Sequence, residues 1–214
     1  MFIGHWSASL IAATHPRAPR LGTLFIGAQF IDWGFFGLML ADVEHMRLVP
    51  GISRMNPMDL YHMPFTHSLL GACAWALALA LFVRVTMRDW VAAAIAFAVV
   101  VSHWLLDLLV HVPDLTLAGS PPRLGFGLWN FPAVEMPLEI GLLLGSVWYY
   151  ARKRGLAITQ PRLMTLVGVM LLAQAINWFG PVATEVTASI PLTALFGYGL
   201  VTGLAVWVDR AAPK

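Results

Sequence analysis

Long apolar runs separated by short polar connections make up most of the chain, and this pattern predicts six membrane-spanning helices. We expect these helices at about residues 21–41, 65–86, 90–112, 132–150, 163–179 and 191–208. Each run is close to the roughly 20 residues that an α-helix needs to cross a bilayer. The predicted fold class is therefore an all-α, polytopic transmembrane helix bundle, with residues 1–214 forming a single domain.

Two segments outside these runs also have patterns that predict structure. Residues 1–15 hold a shorter apolar stretch with His5 and Trp6, and we expect an interfacial or re-entrant segment because the stretch is too short to span. The segment lacks the charged n-region of a signal peptide, so we expect it to stay in the mature chain. Residues 115–130 form a long loop rich in Gly and Pro, in which Trp129 indicates packing at the membrane surface.

Composition agrees with a membrane protein. Apolar residues make up 59% of the chain and charged residues 11%, whereas a soluble domain has a charged fraction of about 25%. Cys73 is the only cysteine of the sequence, which excludes an internal disulfide. The net charge of +2 is small and scattered, so we expect no nucleic-acid partner.

The basic residues are distributed unevenly between the two sides of the predicted bundle. Ten of the thirteen lie on the side that holds both termini, which the positive-inside rule assigns to the cytoplasm. These ten are Arg17, Arg20, Arg84, Arg88, Arg152, Lys153, Arg154, Arg162, Arg210 and Lys214. The other three are Arg47, Arg54 and Arg123.

The most informative stretch is SHWLLDLLVHVPD, from Ser102 to Asp114. His103, Asp107 and His111 follow at spacings of four residues, so they share one face of the third helix. Ionisable groups are costly in a membrane and usually face a functional site. His and Asp also bind divalent metals. The alternative is a hydrogen-bonded pair that only holds the helix against its neighbour.

Other ionisable residues are expected at the same level of the membrane. His67 begins the second helix, where a capping role would explain its neighbours Thr66 and Ser68 better than His67 itself. Glu44 leaves the first helix, and Asp32, deeper in it, is either a ligand or an acid that hydrogen-bonds between helices. Glu139 has a better claim than Glu135 to be a ligand or general base. Together they predict a half-buried pocket that faces the periplasm.

Several sequence segments resemble those of a group of bacterial multi-pass inner-membrane proteins classed as membrane-bound metal-dependent hydrolases. They are IGHWSASLIAA, LGTLFIGAQFID, MDLYHMPFTHSLL, SHWLLDLLVHVPDLTL and GLWN followed by Glu, within residues 3 to about 140. The resemblance implies a bacterial inner-membrane location and a metal site at His67, His103 and Asp107. It adds Asp32, Glu44 or His5 as further candidates. The chain departs from the simplest pattern at His62, which Met-Pro-Phe follows where the group has Arg-Gly.

Our leading hypothesis is a membrane-embedded, metal-dependent hydrolase. The expected cofactor is a divalent metal, zinc ahead of manganese or iron, bound by His67, His103 and Asp107. Further candidate ligands are Asp32, Glu44 and His111. Glu139 is the predicted catalytic base for a metal-bound water.

The expected partners are membrane lipid and a lipid-linked or phospholipid ester as substrate, with Arg54 and Arg123 as the cations that would hold a phosphate. The alternative is a non-enzymatic accessory subunit of a membrane complex, with protein partners, that binds haem or a pigment through His67, His103 or His111. The carboxylates distinguish the two hypotheses, because haem needs no Asp one turn away from its His.

Overall fold

A computed structural model describes residues 1–210, and Lys214, one of the basic residues counted above, lies outside the described residues. Within this range the chain forms a helical bundle with one small β-hairpin. The helices are α1 (Trp6–Ala12), α2 (Leu21–Ala28), α3 (Phe30–Leu40), α4 (Leu69–Met87), α5 (Trp90–Val110), α6 (Pro132–Lys153), α7 (Pro161–Phe179) and α8 (Ser189–Asp209). The strands are β1 (His45–Leu48) and β2 (Met58–His62), and short 3₁₀ helices cover Ile3–His5 and Leu128–Asn130.

Four helices, α4, α5, α7 and α8, are long and apolar enough to cross a membrane. The pair α2 and α3 makes a fifth if it counts as one span. The two helices are bent by 56° at the break between them. These elements lie close to the predicted runs. Helix α6 has the predicted position, but its carboxylates and its internal proline make it less apolar. A helical bundle with four to five candidate membrane-spanning helices is therefore confirmed for the described part of the chain, but the count of six spans is not.

Local sequence explains where α4 and α5 begin. The Ser68 hydroxyl accepts a hydrogen bond from Gly71 N at 3.0 Å, and the Asp89 carboxylate accepts from Val91 N at 2.7 Å. Both side chains are N-caps, which satisfy amide groups that the first helical turn leaves free. Helix α5 ends before Pro113, which cannot continue the helix.

The break between α2 and α3 lies at Gln29. The side-chain amide of Gln29 donates to Phe2 O at 3.1 Å. The last carbonyl of α2, at Ala28, accepts a hydrogen bond from the His103 ring of α5 at 2.7 Å. The break therefore links α2 to the N-terminal segment and to α5.

The N-terminal segment packs inside the bundle against α2, α5 and α6. Ile3, Trp6 and Leu10 are fully buried. The Trp6 indole donates to Phe25 O at 3.1 Å, and the Ser9 hydroxyl donates to Leu24 O at 2.7 Å. These contacts fix the segment among the helices, at a depth that its length alone did not predict.

The β-hairpin occupies the polar connection between α3 and α4, where the sequence predicted no strand. Its strands pair antiparallel, and the Arg47 guanidinium lies 2.6 Å from the Asp59 carboxylate across them. Met46 and Leu60 turn inward onto the core between α3, α4 and α5. The hairpin and residues 111–131 form one end of the bundle, which we call the hairpin end.

Candidate metal centre

Six ionisable side chains from four parts of the chain come together near the hairpin end. The N-terminal segment supplies one, α3 one, the start of α4 one, and α5 with the residue after it three. They are His5, Asp32, His67, His103, Asp107 and His111. All are buried except Asp32, which is partly buried. The predicted convergence of His67, Asp32 and the α5 face is therefore present in the fold.

Asp32, His67 and His103 have ligand atoms close enough together to hold a metal ion, and Asp107 approaches the two histidines of this group. His67 Nε2 and His103 Nε2 each lie 3.4 Å from Asp32 Oδ1. Asp107 Oδ2 lies 3.0 Å from His103 Nε2 and 3.7 Å from His67 Nε2. Metal–ligand bonds of about 2.1 Å place neighbouring ligand atoms about 3.0 Å apart in an octahedron and about 3.4 Å apart in a tetrahedron. The separations of 3.0 and 3.4 Å match the edges of such a polyhedron, and the separation of 3.7 Å between Asp107 Oδ2 and His67 Nε2 is longer.

Two atoms of this set have no hydrogen-bond partner among residues 1–210. His103 Nε2 and Asp107 Oδ2 are both buried and lie 3.0 Å apart, yet they are not aligned as donor and acceptor. A buried polar atom without a partner is costly. A cation between the two atoms would satisfy both of them, and His103 and Asp107 together with His5 form a second group that could hold a metal ion.

Hydrogen bonds behind the ligands fix the orientation of both imidazoles. Ala28 O can only accept, so His103 Nδ1 carries the proton, and a neutral ring then presents a lone pair on Nε2. The Thr66 hydroxyl donates to Glu44 Oε2 at 2.6 Å, which leaves its oxygen to accept from His67 Nδ1 at 2.9 Å. Partners of this kind are typical of metal-binding histidines.

The carboxylates of Asp32 and Glu44 have different positions. Tyr198 donates its hydroxyl proton to Asp32 Oδ2 at 2.9 Å, which leaves Oδ1 directed at the two histidines. The sequence predicts Glu44 as a ligand, but both of its oxygens accept hydrogen bonds from Thr66, and one of them also from Phe65 N. Glu44 therefore reaches His67 only through Thr66.

The other oxygen of Asp107 faces a second group of residues. Asp107 Oδ1 lies 3.1 Å from His5 Nε2, 3.4 Å from His111 Nε2 and 3.2 Å from the amino nitrogen of Met1. The His5 ring stacks on the His103 ring with centroids 3.7 Å apart. Only the family resemblance named His5 as a candidate, because a short apolar segment gives no sign that it enters the bundle.

Glu139 anchors the N-terminal segment in this structure. Its Oε1 accepts from Phe2 N at 2.5 Å and from Gly4 N at 3.0 Å, and its Oε2 accepts from Gln174 Nε2 at 3.0 Å. The role of general base stays a prediction. Glu135, one turn earlier, is also buried, and its Oε2 has no hydrogen-bond partner within the described chain.

A cavity of about 250 Å³ adjoins the cluster at the hairpin end. Its walls are mainly apolar, and its charged lining residues are Glu135 and Glu139. Other lining residues are Met1, Phe2, Met46, Met55, Trp129 and Trp178. The six cluster residues do not line the cavity themselves, but Met1 lines it and also contacts Asp107.

The two predicted phosphate-binding residues lie elsewhere on the hairpin end. Arg54 is exposed in the hairpin loop. Arg123 lines a recess of about 70 Å³ with Tyr61 and Asp114, and its guanidinium lies 3.4 Å from Tyr61 O. Neither arginine lines the larger cavity.

An ion pair between two connections lies at the end of the bundle opposite the hairpin end. The Arg17 guanidinium makes two hydrogen bonds of 2.7 Å to the Asp89 carboxylate. These bonds lower the pKa of Asp89 to about 2. The pair joins the connection after α1 to the connection between α4 and α5.

No family model, no curated protein and no solved structure matches this chain. The resemblance to bacterial membrane-bound hydrolases therefore stays a prediction, and the functional argument depends on the site itself.

Proposed function

We propose that this protein is a membrane-embedded, metal-dependent hydrolase. The observation that supports the proposal is the set of Asp32, His67, His103 and Asp107, whose ligand atoms lie 3.0–3.7 Å apart along four edges. Mixed nitrogen and oxygen ligands suit zinc, manganese or iron(II). When bound, such an ion lowers the pKa of a coordinated water and so supplies a nucleophile at neutral pH.

In this proposal the chain's own residues position the reactants. Ala28 and Thr66 hold the two imidazoles, and Tyr198 holds Asp32. Glu139 lines the cavity and holds the backbone of the segment that carries His5, and it is the proposed acceptor of a proton from water. Glu139→Gln tests this role, because it should retain the metal while hydrolysis falls by about 10²–10⁴-fold.

The cavity supports a substrate with an apolar chain. Its apolar walls suit an acyl group, and Glu135 and Glu139 suit a head group that donates hydrogen bonds. Because Arg54 and Arg123 lie outside the cavity, it favours a neutral or cationic lipid ester over a phosphoester. A fluorogenic neutral lipid ester and a matched phospholipid would therefore be compared as substrates.

The decisive experiment measures metal in the detergent-purified protein by mass spectrometry, together with its visible absorption spectrum. We expect at least one divalent ion per chain and no Soret band. Asp107→Asn should lose metal and lipid-ester hydrolysis together, because a neutral amide is a poor ligand for a hard cation.

Asp59→Asn is the matched control, because Asp59 is a buried aspartate that pairs with Arg47 outside the cluster. It should retain both metal and hydrolysis. A Soret band in the wild type would favour the alternative of a haem-binding accessory subunit. A colourless protein without metal would contradict both functions.

A further inference from the structure

We propose that Asp107 bridges two divalent cations, the second of which is bound by Asp107 Oδ1, His5 and His111. The two carboxylate oxygens face different residues: Oδ2 faces His103 and His67, while Oδ1 faces His5 and His111. The two nitrogen–oxygen separations at Oδ1, 3.1 and 3.4 Å, are again edges of a metal coordination polyhedron. This inference extends the proposed hydrolase function from one ion to two.

His5 is the first independent observation. Its side chain is fully buried, and neither ring nitrogen has a hydrogen-bond partner among the described residues. Glu139 and Gln174 hold the surrounding backbone, so the ring is fixed in this position. A buried imidazole without partners costs stability, and a cation on Nε2 would offset that cost.

His111 provides the second independent observation. Its Nδ1 lies 3.0 Å from Asp114 Oδ1, which orients Nε2 toward Asp107. The Trp129 ring packs against the imidazole, with centroids 4.1 Å apart. A histidine between a carboxylate and a metal ion is a common arrangement at zinc sites. The sequence places His111 on the α5 face, and the structure assigns it to the Oδ1 side of Asp107.

The stacking of His5 on His103 supports two separate positions. The rings are nearly parallel, at 9°, and each Nε2 approaches a different oxygen of Asp107. A carboxylate that binds one ion through each oxygen is typical of two-metal hydrolases, whose ions lie about 3.5–4 Å apart. The amino nitrogen of Met1 donates a hydrogen bond to Oδ1 at 3.2 Å, and the second ion would replace this contact.

The test loads the purified full-length protein with zinc, removes free ion by desalting and counts zinc per chain. We expect two ions in the wild type and about one in both His5→Ala and His111→Ala. His45→Ala is the matched control, because His45 lies on the hairpin outside the cluster and should leave the count at two.

A second measurement uses manganese, because the spectrum of the wild type alone reports a coupled pair even if a variant does not fold. The wild type loaded with Mn²⁺ should give the electron paramagnetic resonance spectrum of an exchange-coupled pair, and His5→Ala should give that of an isolated ion.

One zinc per chain in the wild type, with an uncoupled manganese spectrum, would overturn the second site and leave the proposed hydrolase intact. A count of two that neither His5→Ala nor His111→Ala lowers would also overturn it. No bound zinc at all would contradict the hydrolase proposal as well.

Discussion

The orientation of His67 and His103 depends on groups outside the proposed ligand set. A neutral imidazole presents a lone pair at Nε2 only if its proton is held at Nδ1. Ala28 O does this for His103, and the Thr66 hydroxyl does it for His67. The Thr66 hydroxyl can accept from His67 because it donates its own hydrogen bond to Glu44. The buried Glu44 carboxylate therefore orients the His67 ring without contacting it.

This chain of hydrogen bonds predicts a specific effect of Thr66→Val. Valine has nearly the shape of threonine but cannot accept the His67 proton, so zinc affinity should fall by about 10–100-fold. Thr66→Ser retains the hydroxyl and should bind zinc nearly as the wild type does. Competition with a chromogenic chelator measures both affinities. Equal affinity in Thr66→Val and the wild type would show that the orientation of His67 does not depend on Thr66.

The sequence predicted the residues whose grouping follows from helix periodicity. His103 and Asp107 lie one turn apart on α5 and His111 directly follows its last residue, so their grouping follows from spacings of four residues at 3.6 residues per turn. The position of Glu44 behind Thr66 depends on side-chain hydrogen bonds across a connection, which no periodicity encodes. The position of His5 depends on the packing of a segment too short to show that it enters the bundle.

Among the helices and their connections, Asp89 stabilises both the start of α5 and a contact at the end opposite the hairpin. Asp89 caps α5 and pairs with Arg17. Because the Arg17 guanidinium lowers the pKa of Asp89 below its usual range, the ionised carboxylate favours the folded state. This contribution is complete above a pH of about 4 and is lost as the pH falls toward 2.

Two substitutions at Asp89 separate its two roles. Asp89→Ser keeps an acceptor for the first turn of α5 but removes the ion pair, whereas Asp89→Ala removes both. At pH 7 the thermal midpoint should fall in the order wild type, Asp89→Ser, Asp89→Ala. The difference between wild type and Asp89→Ser should narrow below a pH of about 4. A difference that stays constant as the pH falls toward 2 would argue against the ion pair.

Elements were predicted well where a long apolar run determined them. Helices α4, α5, α7 and α8 lie close to their expected bounds because their length and composition suffice. The hairpin was not predicted, because strands of four and five residues show little alternation. Its inward residues, Met46 and Leu60, became recognisable only when they met the core.

The basic residues are distributed differently between the two ends of the molecule. Arg47, Arg54 and Arg123 lie in the hairpin and its neighbouring loop, and the Arg17–Asp89 pair lies at the opposite end. The positive-inside rule therefore predicts that the hairpin end, with the cavity, faces the periplasm.

Cysteine labelling in intact cells tests this orientation in a Cys73→Ala background. A cysteine at Ser120, in an exposed loop of the hairpin end, should react with a membrane-impermeant thiol reagent. A cysteine at Lys153, which is exposed at the end of α6, should react only after the cells are lysed. The reverse pattern would place the cavity in the cytoplasm and remove the argument for a periplasmic substrate.

The position of the N-terminal segment has a consequence for biosynthesis. Its contacts with α6 and α7 join parts of the chain that are made at very different times: Phe2 pairs with Glu139, 137 residues later, and Ile3 with Gln174, 171 residues later. At about 5–20 residues per second, ribosomes need roughly 7–27 s to make the first interval and roughly 9–34 s to make the second. His5 is therefore made well before Glu139 and Gln174, which hold the backbone beside it, and an ion that arrives before them meets a His5 that is not yet held in place.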